Sequence, residues 1–149
     1  MDLSEIVTEG DAESFMSFHI LDSMGIYEYS LARYSPDGGN KWCALAGRKE
    51  RDLSNYDGFY LKAESDQYLR YYVELRSGDR WYYSSLKLYP DTTNHCFIPF
   101  DKFYRVMNGL EAMPLSKIDS LFISASNYTC RTGFQAKMKI HEMGFYKQK

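Results

Sequence analysis

Between residues 68 and 88 the sequence YLRYYVELRSGDRWYYSSLKL sets rings and charges in two strict alternations. In the first, Tyr68, Arg70, Tyr72, Glu74 and Arg76 share one side, and Leu69, Tyr71, Val73 and Leu75 share the other. In the second, Tyr82 and Ser84 go with Leu86 and Leu88, which leaves Trp81, Tyr83, Ser85 and Lys87 opposite. The turn Ser77-Gly78-Asp79 folds one segment back on the other, so the two polar-aromatic sides come alongside. A flat ring can stack on the C–H face of a polyhydroxylated molecule, while guanidinium and carboxylate groups can hold its hydroxyls by paired hydrogen bonds. Tyr72, Trp81 and Tyr83 are therefore the expected platform, Arg70 and Glu74 the expected hydrogen-bonding groups, and Tyr29 or Trp42 could flank them. The plain alternative is edge packing of tyrosines, with Arg70 and Glu74 as an ion pair of little worth. So many rings in adjacent segments favour binding.

Other chemistry is poorly supplied. A glycosidase needs two carboxylates on opposite sides of a bond, and the 20 acidic residues are scattered through turns and solvent-facing positions. No G-x-S-x-G, HExxH, P-loop or GxGxxG pattern occurs, so catalysis is not expected. His19, His95 and His141 form no local ligand pair. The three cysteines, Cys43, Cys96 and Cys130, are odd in number and lack CxxC spacing, which reads as small buried apolar residues. A formal net charge of -2 with mixed signs carries no polybasic footprint, so no nucleic-acid partner is expected. The apolar runs are too short to insert into a bilayer. The first five residues lack the basic start and apolar stretch of a signal peptide.

The elements that must position these residues are strands. At 149 residues the chain has the size of one domain, read here as 1–149, and 17% of it is aromatic, with 14 tyrosines. Tyrosine suits a pleated surface. Period-2 segments recur at 15–21, 26–34 (with Tyr27, Tyr29 and Leu31 on one face), 42–46, 57–64, 68–76, 80–88, 94–99, 116–124 and 134–146. Residues 35–40 are a loop rich in Gly, Pro, Asp and Asn, and only 102–109 looks like a helical turn, with a loop as the equal alternative. Many short strands between turn signals predict an all-β protein, an antiparallel β-sandwich of the jelly-roll type.

The stretch IPFDKFYR, residues 98–105, marks a strand exit. Pro99 cannot donate to a ladder; Phe100 and Phe103 are expected to anchor the following loop in the core, with Asp101 and Lys102 in water. The order DLSNYDGFYLKAESDQYLRYYVELR, a tyrosine-rich strand, CFIPFDKF and LSKIDSLFIS resembles the galactose-binding-like jelly-roll family shared by family 11 carbohydrate-binding modules and complex I intermediate-associated proteins. The resemblance runs from about Asp52 to Ser124 and weakly into KMKIHEMGFY; where the family often carries a tryptophan ahead of I-P-F, this chain has Asn94-His95-Cys96-Phe97. It implies a non-catalytic module that binds an oligosaccharide or polysaccharide across a concave sheet on tyrosines and polar side chains. It also implies an extracellular or periplasmic setting, appended to a larger enzyme or receptor. The assembly-factor branch implies the alternative of a protein-interaction or sensor module. Modules of this kind often carry structural Ca2+, for which Glu9 and Asp11, with Glu13, are the candidate oxygen ligands here.

Overall fold

The computed structural model describes residues 1–105, 113–127 and 133–148, which form two antiparallel sheets stacked as a sandwich. The strands are β1 (Ile6–Gly10), β2 (Phe15–Leu21), β3 (Met24–Ser30), β4 (Trp42–Gly47), β5 (Gly58–Ser65), β6 (Leu69–Ser77), β7 (Arg80–Leu88), β8 (Asn94–Pro99), β9 (Tyr104–Arg105), β10 (Ser120–Ser126) and β11 (Gln135–Tyr146). One sheet has six strands in the order β1-β4-β10-β6-β7-β9, and the other has five in the order β2-β3-β11-β5-β8. Neighbours far apart in sequence, such as β10 between β4 and β6, give the jelly-roll topology expected from the strand pattern. Helix is confined among the described residues to single 3-10 turns at Leu3–Glu5, Phe100–Lys102 and Leu115–Lys117. Among the described residues no helix is long and apolar enough to cross a membrane.

The core lies between the sheets and follows the alternation. Tyr71, Val73, Leu75, Tyr82, Leu86 and Leu88 point inward from β6 and β7 and meet Tyr27, Tyr29, Phe59, Leu61 and Met138 from the opposing sheet. Phe100 and Phe103 are buried at the exit of β8, their ring centroids 6.3 Å apart, while Asp101 and Lys102 are exposed. Because β8 is the edge of its sheet, the missing N–H of Pro99 costs no ladder bond.

Several boundaries differ from the sequence reading. Strand β3 begins at Met24 rather than at 26, because Asp22 and Ser23 take φ of 51° and 66° in a two-residue turn that pairs Leu21 with Met24. It ends at Ser30. Strand β10 starts at Ser120 rather than 116, since Leu115–Lys117 is a 3-10 turn. The helical turn expected over 102–109 is a 3-10 turn at Phe100–Lys102 followed by β9; residues 106–109 lie outside the described residues. Strand β1 was not anticipated. Cys43 is buried and Cys96 half-buried, and Cys130 lies outside the described residues.

Candidate functional site

The β6–β7 hairpin turns on Gly78, whose φ of 61° suits the first position of a tight hairpin turn. Its register sets Arg76 opposite Trp81, Glu74 opposite Tyr83, Tyr72 opposite Ser85 and Arg70 opposite Lys87. These eight residues line the outer face of the six-stranded sheet, since the intervening Tyr71, Val73, Leu75 and Tyr82 are buried. The face assignment from the sequence is therefore the observed one. The rings of Tyr72 and Tyr83 meet edge to face with centroids 5.7 Å apart. Trp81 and Tyr83 are 42% and 36% exposed, enough to leave ring surface for a ligand.

The rest of the sheet continues the same rows. Phe122 of β10 stands opposite Glu74, and Ser124 opposite Tyr72. On β4, Ala46 stands opposite Phe122, Ala44 opposite Ser124 and Trp42 opposite Ser126. Trp42 is thus on the same face, two strands from Tyr72, and packs with Ala44, Ala46 and Phe122. Only short side chains, Ala44 and Ser124, separate Trp42 from Tyr72 along these rows.

Phe122 is only 2% exposed although it faces outward. Two guanidinium groups cover it: Arg76 lies 4.0 Å and Arg48 5.0 Å from its ring centroid. Arg76 also lies 4.1 Å from the Trp81 ring, so it is held between two aromatic faces. Carboxylates fix both cations. Glu74 accepts from Arg76 at 3.0 Å, and Glu9 accepts two bonds from Arg48 at 2.6 Å. The hydrogen bond from Arg48 holds the Glu9 carboxyl below its ordinary value, against partial burial. The ion pair of the plain alternative is not formed: the partner of Glu74 is Arg76, not Arg70, and Arg70 is exposed. Arg76 was legible as a face residue; Phe122 and Arg48 were not, because only the β10–β6 and β4–β10 pairings bring them in.

Tyr29 does not join this face. Its pairing with Ala136 of β11 turns the ring into the sandwich, where the small partner leaves room and its hydroxyl donates to that of Tyr71 at 3.1 Å. It is 3% exposed and serves the core.

The acidic residues considered for calcium are otherwise engaged. Glu9 is bound to Arg48, and Glu13 pairs with Lys41 at 3.0 Å. Asp11 accepts from the backbone N–H of Glu13, Ser14 and Trp42 and from the Ser14 hydroxyl, which occupies both of its oxygens. Partial burial pushes the Asp11 carboxyl up, but these hydrogen bonds outweigh it and hold the group below its ordinary value. Among the described residues no group of three His, Cys, Asp or Glu side chains converges. Glu9 and Asp11 do not fit an ion as a pair. Asp11 instead positions the start of β4, and with it Trp42.

The aromatic face is open rather than enclosed. Cavities of about 380, 470 and 540 Å³ lie elsewhere, and none is lined by Tyr72, Trp81 or Tyr83. A second ring cluster occupies the outer face of the five-stranded sheet. There Phe97, 60% exposed, stacks on Tyr60 at 6.3 Å and meets Tyr146 edge-on at 5.3 Å.

No protein-family model matches the chain, and no curated protein does. Solved structures do. The family 11 carbohydrate-binding module of a cellulosomal cellulase of Clostridium thermocellum superposes with a TM-score of 0.73 at 12% identity, over 99% of this chain and 92% of that one. A family 11 module from the same organism, in complex with a β-1,3-1,4-mixed-linked tetrasaccharide, gives 0.71 at 12% identity, over 99% and 93%. An agarase gives 0.74 at 7% identity, over 98% of this chain and 23% of its own. At this level of identity the likeness concerns the fold, and the fold is the jelly roll of the family 11 carbohydrate-binding modules.

Proposed function

We propose that the chain is a non-catalytic carbohydrate-binding module that holds a glycan across the outer face of its six-stranded sheet. Tyr72, Trp81 and Tyr83 supply stacking surface, Arg70 and Glu74 hydrogen bonds, and Trp42 a flank. The observation that carries this reading is the set of rings on one face of two adjacent strands, beside the Arg76 guanidinium held by Glu74, Trp81 and Phe122. Little side-chain freedom remains to be lost when a ligand lands there. The bound tetrasaccharide of one structural neighbour supports the ligand class.

A glycan array followed by calorimetry tests it. Tyr72→Ala or Trp81→Ala should weaken binding by about 1–2 kcal/mol, the scale of one aromatic contact, with the melting temperature nearly unchanged. Phe97→Ala, on the opposite sheet, serves as the control. If Phe97→Ala abolishes binding while Tyr72→Ala spares it, the ligand lies on the five-stranded sheet instead. The exposed Phe97 cluster is also what favours the second reading, a protein-interaction or assembly-factor module. That reading takes over if no glycan binds.

A further inference from the structure

Arg70 and Lys87 face each other directly across the β6–β7 hairpin, and both are exposed. Like charges in opposed positions disfavour a sheet. Four other cations on this sheet and its margin are neutralised: Arg48 by Glu9, Lys49 and Arg51 by Glu5, and Arg76 by Glu74. Among the described residues, Arg70 and Lys87 alone on this hairpin's outer face stand together without a carboxylate at either head group. Rings lie on both sides of them along the strands. Tyr72 and Tyr83 are on one side; on the other, one residue past the strand ends, are Tyr68 and Tyr89, 47% and 52% exposed, with ring centroids 5.4 Å apart. Residues two apart on a strand are separated by about 7 Å. The hairpin thus presents rings, then a pair of cations, then rings, in one line.

We infer that the glycan this face takes is acidic, with a carboxylate or sulfate group seated between Arg70 and Lys87 and its sugar rings on the tyrosine pairs to either side. The inference rests on the glycan-binding reading of the same face. A chain of neutral sugars would leave two adjacent cations uncompensated, whereas an anion satisfies both with charge-assisted hydrogen bonds. Rings and cations together also suit a single-stranded nucleic acid. The net charge of -2 favours the glycan.

Calorimetry on the intact chain with a polyuronate, a sulfated galactan, a neutral mixed-linkage glucan and a single-stranded oligonucleotide tests the inference. Each is titrated at low and at high salt. At least one acidic polymer should bind about tenfold tighter than the neutral glucan at low salt, and lose most of that advantage at high salt, where charges in water are screened. The two acidic arms tell carboxylate from sulfate. The double variant Arg70→Gln/Lys87→Gln should lose at least tenfold in affinity for the acidic polymer, together with its salt dependence. It should melt at or above the parent's temperature, because a like-charge pair has been relieved; this separates lost binding from lost folding. Neutral glucan bound as tightly as the acidic polymers, without a salt effect, overturns the inference and leaves the glycan-binding reading intact. If no polysaccharide binds at all, both fall. Tightest binding of the oligonucleotide, lost in the double variant, overturns the glycan as occupant.

Discussion

Asp11 joins β1 to β4 without belonging to either strand. Its backbone N–H donates to the Trp42 carbonyl at 3.1 Å, and its side chain takes back the Trp42 N–H at 2.8 Å. Replacing it by Asn puts an amide nitrogen where one oxygen accepts, so a donor loses its partner. Asp11→Asn should therefore cost about 1–3 kcal/mol in urea melts at neutral pH, the range for a hydrogen-bonding group left without its partner. The pH dependence follows from the direction of the shift. The folded carboxyl titrates below the unfolded one, so its contribution is complete above about pH 4, the unfolded value, and disappears as pH falls through the folded value. The gap between parent and variant should narrow in acid; a gap that stays constant would mean the carboxylate charge is irrelevant. None of this was legible from sequence. Glu9, Asp11 and Glu13 read as one acidic cluster, while their partners Arg48, Trp42 and Lys41 are 28 or more residues distant.

At the scale of elements, the exit of β8 behaves as its sequence predicts. Phe103 packs on Phe100, Phe100 lies 6.3 Å from Phe145, and Phe145 lies 6.1 Å from Phe59, so the turn is bolted to the final strand. Phe103→Ala should cost about 3–5 kcal/mol through the cavity it leaves. A loss under about 1 kcal/mol in denaturant would show the ring to be dispensable. Pro99 announced this element because proline fixes φ and removes the backbone N–H. Gly78 likewise announced the β6–β7 turn. The Asp22-Ser23 turn gave no such signal, since both residues adopt positive φ without the glycine that usually marks it. Strand β1 was hidden for a different reason: it is an edge strand with only Ile6 fully buried, so its inner face is too sparse to show a period. Its β-branched run Ile6-Val7-Thr8 was the available clue.

For the whole molecule, alternation fixes which residues of a hairpin face the same way, and this is why Arg70, Tyr72, Glu74, Trp81 and Tyr83 could be grouped in advance. It does not by itself say which alternating side looks inward: Tyr29 shares its side with Tyr27 and Leu31, that side is the core one, and so Tyr29 was misplaced. Nor can it say which distant strand lies beside the hairpin. Strand β10 does, and with it comes the Phe122 ring that steadies Arg76. One consequence of that arrangement is optical. The chain has two tryptophans, and both stand on the same outer face, Trp42 beside Phe122 and Trp81 over Arg76. Indole emission, excited at the red edge where tyrosine hardly absorbs, therefore comes from this face alone. A ligand settling on it should change the intensity and wavelength of that light, and the change should saturate with the calorimetric isotherm. A ligand held on the Phe97 side should bind in the dark, with calorimetric heat and no change in emission.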